Sequence, residues 1–339
     1  MKNKANYIIL AVAAVIFLFM VFSFGIDKIA QNLLRIGWYF IPITGVWFFV
    51  YLCNAVAWRF IIDRPDIPFK QIFSVTISGY AINYITPLFH LGGEPYRVYA
   101  LKDTLGLNRA VSVTISYVML HFLSSFLIWI AGVVVALLFI PLPDVLFVIL
   151  LISLFVFGFV VWLFIKGYKN GVTKSFASFF VKLPLLKKFS SKVGEKEAIL
   201  REIDDNTKEL YQNRKKDFIA ANFFEVLSRV VATLEYFFIM KAIGLDPTLL
   251  EAFIINAGLG LIANMFFVVP FELGVKEGGL YTIMGFLKYT PSIGIFVGIV
   301  NRIRELFWIM IGLALIYYTG RKNDRKELKS ILYDESNIV

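Results

Sequence analysis

Gly92, Gly93, Glu94 and Arg97 stand close together, just after a long apolar run that Pro87 interrupts. Paired glycines let a backbone come close to a ligand, and a guanidinium offers a planar fork that matches the oxygens of a phosphate. With Pro95 in a first helical turn, Arg97 within that turn and amides freed at the helix start, the expected chemistry is anion recognition. Asn83, four residues before Pro87, and Asn264, ahead of Pro270, are expected to satisfy backbone groups that the breaks leave open.

The same order returns in the second half of the chain. Asn264 precedes Pro270, and Glu272, Gly274 and Glu277 follow. Arg229, Arg302 and Arg304 lie in apolar surroundings together with Glu225, Glu235 and Glu305, where charged groups are costly unless paired. Glu225 and Arg229 are one helical turn apart, and Arg302 and Glu305 are three residues apart, so local ion pairs are one reading. The other places Arg229, Arg302 or Arg304 on a substrate phosphate or on a hairpin glutamate. Arg97 also has two readings, a phosphate ligand or a cation snorkelling to the headgroup layer. His90 beside the break is read as a proton carrier or as a hydrogen-bonded structural residue.

Other chemistries find little support. His90 and His121 are the only histidines and Cys53 the only cysteine, so no metal site and no internal disulfide is expected. The chain has neither G-x-x-x-x-G-K-[ST] nor H-E-x-x-H, and no cofactor is expected. The net charge of +10 comes from basic residues at the ends of apolar runs. It reads as topology and lipid-headgroup signals, with no nucleic acid as partner.

The elements that must position these residues are membrane helices. Of the 339 residues, 59% are hydrophobic and 17% charged, too apolar for a soluble domain. Spans are expected over 5–24, 39–62, 110–140, 145–165, 218–240 and 293–318, with an interfacial helix over 26–38 and a short polar helix from Pro95 to Leu105. Pro, Gly and charge break 71–94 and 249–287 too often for ordinary spans. Between Lys166 and Asp217 stand 13 Lys or Arg against 7 Asp or Glu, the mark of a cytoplasmic loop. Val172, Phe176, Phe179, Phe180 and Leu183 give its first part an amphipathic face for anionic headgroups, and 195–216 reads as a solvated helical connector.

Parity then constrains the broken segments. With the N-terminus inside, a full crossing by 73–89 would put the basic loop outside, whereas a segment that enters and turns back keeps it and the basic tail inside. The expected fold is thus an all-α polytopic membrane protein, with about six full transmembrane helices and two oppositely oriented re-entrant hairpins forming an inverted repeat. Its parts are an N-terminal half (1–166), the basic loop (167–216), a C-terminal half (217–320) and a tail (321–339), with both termini cytoplasmic. Eight or so kinked ordinary spans are the alternative.

Asn83-x-x-x-Pro87, Gly92-Gly93-Glu94 with Arg97, and Pro270-x-x-x-Gly274-x-x-Glu277 resemble the lysylphosphatidylglycerol synthase transmembrane, or flippase-like, family over nearly the whole chain. The resemblance implies a lipid translocase fold with re-entrant hairpins. In that family the membrane region moves aminoacylated phospholipid, and relatives are linked to polyprenyl glycolipid pathways. The synthases carry a soluble transferase domain after the membrane region, whereas this sequence ends soon after Arg321, so synthesis of the aminoacylated lipid by this chain alone is not expected.

The expected function is movement of an anionic phospholipid or polyprenyl-phosphate-linked lipid across the cytoplasmic membrane, without a catalytic residue. An enzyme acting on a lipid phosphate and a membrane scaffold are the alternatives. Besides the lipid, a second copy of the chain and a separate lipid-modifying enzyme are admissible partners.

Overall fold

The computed structural model describes residues 26–86, 92–170, 197–266 and 274–336, together with positions 15, 18, 22, 269 and 272. The described residues are helical throughout, with no strand. α1 (Ile26–Ile36) runs through a 3₁₀ turn (Gly37–Tyr39) into α2 (Phe40–Ile62). Two helices form a first hairpin, α3 (Phe69–Ile85) and α4 (Gly93–Leu105), and α5 (Leu107–Phe139) and α6 (Asp144–Asn170) follow. The second half holds α7 (Glu197–Gln212) and α8 (Lys215–Ala242), then a second hairpin of α9 (Leu249–Met265) and α10 (Val275–Phe286), and finally α11 (Ser292–Ser336).

Among the described residues, three stretches are long and apolar enough to cross a membrane: Ala30–Ile62, Leu107–Phe139 and Asp144–Lys169. α8 has 28 residues, about 42 Å at 1.5 Å per residue, but its charges interrupt the apolar window. The expected span over 5–24 lies almost wholly outside the described residues, as do the turn at 87–91 and the amphipathic part of the basic loop.

α2 and α8 pair along the middle of the molecule, and the hairpins flank them. α3 packs on α2, α4 and α11, while α9 packs on α8, α10 and α5; α4 rests on α5, and α10 on α11. Exchanging α2 with α8, α3 with α9, α4 with α10 and α5 with α11 therefore maps these contacts onto one another. Small residues permit the closest crossings, since membrane helices associate by packing rather than by hydrophobic burial. Gly132 of α5 lies against Ala257 of α9 so closely that a Cβ would overlap it, and Gly312 of α11 meets Ala81 of α3 in the same way. These two contacts are counterparts under the exchange.

α6 stands at the edge. No residue in its apolar window is buried, and Phe155, Ile152 and Trp162 all point outward. α7 corrects the expectation of a solvated connector. Ile203, Asp204, Thr207 and Leu210, at helical spacing, are buried, and the helix docks on α5 and α6. Asn206 Nδ2 donates to Ser112 Oγ at 2.6 Å, and the Thr207 and Ser116 hydroxyls lie 3.2 Å apart.

Candidate functional site

The first hairpin is closed by Asn83. Its Oδ1 accepts the Gly93 amide at 2.6 Å and its Nδ2 donates to Glu94 Oε1 at 3.2 Å. A Cβ on Gly93 would overlap the Gly79 carbonyl, so glycine is needed there for close approach of α4 to α3. Two expectations change here. α4 begins at Gly93 rather than at Pro95, which puts Arg97 beyond the first turn, and the Gly93 amide is taken by Asn83 rather than free for an anion.

Arg97 does not snorkel. Its side chain is 2% exposed because α3 and α5 fold over it: the guanidinium carbon lies 4.9 Å from the Tyr80 ring centroid, 5.0 Å from Tyr117 and 5.6 Å from Trp58. Such faces attract a cation but accept no N–H bond in the plane of the guanidinium. Nη1 lies 3.4 Å from Glu94 Oε1. Among the described residues, Arg97 Nε and Nη2 and Glu94 Oε2 are buried without hydrogen-bond partners.

A cavity of about 620 Å³ opens in front of this arginine. Its polar lining comes from Tyr80, Asn83, Tyr84, Glu94 and Arg97 of the first hairpin with Tyr117, His121 and Arg229. Asn264 and Glu272 join it from the second hairpin region. Its apolar lining comes from Phe122, Phe126 and Trp129 of α5, Phe157 of α6, and Leu261 and Met265 of α9. Arg229 donates from Nε to Ser124 Oγ at 3.1 Å and from Nη2 to the His121 carbonyl at 2.8 Å. Asn264 donates to the Gly260 carbonyl within its own helix at 2.8 Å.

The remaining candidates form ion pairs beside the cavity, and of the two readings made from sequence Arg302 takes the one that partners a hairpin glutamate. Glu225 bonds His121 Nδ1 and Asn54 Nδ2, both at 2.9 Å, on α5 and α2. Arg302 binds Glu277 at 2.6 and 3.1 Å and the Glu272 carbonyl at 2.9 Å. Lys276 bridges Glu272, at 2.8 Å, and Glu305. Arg304 holds Glu235 with two bonds, 2.9 and 3.1 Å, and lies 3.7 Å above the Trp47 ring. Glu235 also accepts from Trp47 at 2.6 Å and from Asn301 at 3.0 Å.

Of the residues proposed from sequence, Asn83, Glu94, Arg97, Arg229, Asn264 and Glu272 thus share one cavity. Gly92, Gly93, Gly274, Glu277, Arg302, Arg304 and Glu305 adjoin it as backbone or ion-pair positions. Pro87, His90 and Pro270 lie outside the described residues. Sequence reasoning passed over Tyr80, Tyr117 and Lys276, and it used His121 only as a count. The signal was present: Tyr80, Asn83 and Tyr84 at i, i+3 and i+4, and Tyr117 and His121 at i and i+4, mark polar faces on apolar helices.

The family described as the lysylphosphatidylglycerol synthase TM region matches residues 7–313. The chain belongs to that family. No curated protein and no solved structure matches it. Membership makes this a helical membrane protein with a function related to membrane lipid, and the described helices agree with that class.

Proposed function

We propose that the chain is a lipid translocase: it takes a lipid with an anionic headgroup into the cavity between the hairpins and moves it across the cytoplasmic membrane. The observation that carries this reading is the cavity's mixed polar and aromatic lining beside a buried arginine of which two nitrogens have no partner among the described residues. A phosphate at Arg97, with Arg229 also lining the cavity, would supply the missing acceptors, while the aromatic side chains suit the root of an acyl or prenyl chain. The exchange of contacts between halves supports an inverted repeat, in which rocking of one hairpin against the other would expose the cavity to each face in turn. In this reading the cavity residues bind and orient, and no covalent step is assigned to them.

The test uses purified full-length protein in liposomes containing a headgroup-labelled anionic phospholipid. Headgroup movement between leaflets with the lipid chemically unchanged is the expected result. A modified lipid would establish the enzyme reading, and neither outcome in folded protein would leave the scaffold. Orientation is checked separately: with Cys53 replaced, reporter cysteines at positions 188 and 326 should be shielded from impermeant reagent outside intact cells. Labelling at 188 from outside would sink the topology.

A further inference from the structure

His121 faces the cavity, yet anion binding gives it no task. Its Nδ1 meets Glu225 Oε2 at 2.9 Å, and Asn54 Nδ2 donates to Glu225 Oε1. One oxygen of Glu225 thus accepts from Asn54 and the other faces the ring nitrogen. With Glu225 as a carboxylate, which can only accept, the neutral imidazole carries its hydrogen on Nδ1 and leaves the lone pair on Nε2. Both hydrogen bonds that His121 makes through its ring use Nδ1, so among the described residues Nε2 has no partner. Glu225 is fully buried, whereas the His121 side chain is 31% exposed and lines the cavity. A proton therefore reaches this pair through Nε2.

We propose that His121, oriented by Glu225, binds a proton in step with the anion at Arg97 and Arg229, so that lipid movement is coupled to proton movement. This rests on the lipid-binding reading of the cavity. The charged and titratable groups around the imidazole come from several helices. α8 brings Glu225 and Arg229, α4 brings Arg97 and Glu94, and α3 brings Tyr80 and Tyr84. Tyr117 stands one turn away on α5, Tyr168 comes from α6, and Cys53 neighbours Asn54 on α2. α9 leads to Asn264 and, beyond it, Glu272.

In the empty cavity a proton on Nε2 would be a third positive charge beside two guanidiniums. An anion seated on the guanidiniums cancels that opposition, and Glu225 then favours the imidazolium. Each ligand therefore strengthens binding of the other, and the coupling is reciprocal. The proton comes from water in the cavity onto Nε2, the Nδ1 hydrogen stays with Glu225, and the proton leaves by the same nitrogen once the anion departs. The backbone adds a mechanical link, because Arg229 also donates to the His121 carbonyl. A cavity that turns from one face to the other would then carry anion and proton together.

The test is calorimetric binding of dihexanoyl-phosphatidylglycerol, a diester that does not itself titrate near neutrality, to detergent-purified full-length protein. Buffers of different ionisation enthalpy report the protons taken up. Across a series from pH 5 to pH 8, the range in which an imidazole changes charge, wild type should take up a fraction of one proton per lipid that passes through a maximum where the occupied cavity holds the proton and the unoccupied one does not. Affinity should improve roughly 5- to 150-fold as pH falls through that span. His121→Gln should bind with neither proton uptake nor pH dependence. Binding by wild type without proton uptake at any pH overturns the coupling and leaves the translocase reading standing, as does uptake that persists in His121→Gln. Absence of saturable binding by folded wild type overturns both. The wild-type pH series needs no variant, so it decides the matter even if His121→Gln fails to fold.

Discussion

The two hairpins carry the same residue types to opposite ends. At the second, each ionic contact is closed: Arg302 of α11 grips Glu277 with two bonds and Lys276 bridges Glu272 and Glu305. In the first, Arg97 sits against three aromatic rings with Glu94 at 3.4 Å, and two of its nitrogens meet no acceptor among the described residues. Removing one partner of a buried ion pair leaves an uncompensated charge and is strongly destabilising, so such pairs act as a fixed frame. In the proposed function the unsaturated buried guanidinium of Arg97 is the receptor.

The sharpest way to break this comparison is to remove one carboxylate from each hairpin. Glu277→Ala takes both carboxylate bonds from Arg302 and removes the acceptor of the Gly274 amide, and it should destabilise the protein by about 3–5 kcal/mol. Glu94→Ala should cost far less. Thermal unfolding in detergent measures both, and equal losses would erase the distinction.

Next in size is Arg97. Arg97→Ala should weaken headgroup binding about tenfold or more, the equivalent of a charge-assisted hydrogen bond of about 1.5–3 kcal/mol, with the fold intact. Arg97→Lys should be nearly as poor, because an ammonium cannot present two parallel donors from that depth. Binding and transport at matched expression are the readout, and a Lys variant as active as wild type would move the phosphate away from this arginine.

Gly79→Ala sharpens the point without touching charge. The new Cβ would sit 2.7 Å from Arg97 Nε, so the guanidinium must shift, and headgroup binding should fall by less than in Arg97→Ala while unfolding stays close to wild type. Unchanged binding would mean that the position of the fork is unimportant. The smallest effect expected is that of Asn83→Ala, which leaves the Gly93 amide without its cap and should lower stability by about 1 kcal/mol.

Much of this frame could be read from the residues themselves. The Asn83 contact with the hairpin followed from a polar amide beside a chain break, and α8 and α5 lie within a few residues of the runs that announced them. The breaks at Pro87 and Pro270 pointed to the neighbourhood of the cavity because Pro and Gly act locally. Partner choice could not be read so. Glu225 is four residues from Arg229, yet its two hydrogen bonds run to α5 and α2, since Asn54 and His121 reach it only after the helices cross. Docking of α7 was hidden for a related reason: its exposed face is so charged that four buried residues barely alter its composition.

α6 lines the cavity through Phe157, yet no residue of its apolar window is buried; in the proposed function that helix lies against the bilayer. An enclosed lipid pocket measures its guest, because every methylene gained or lost is worth about 0.8 kcal/mol. A tail that remains in hydrocarbon throughout is never weighed in that way. Lipids with one headgroup and tails of quite different length should therefore be handled alike, and selection would rest on the few polar atoms around Arg97.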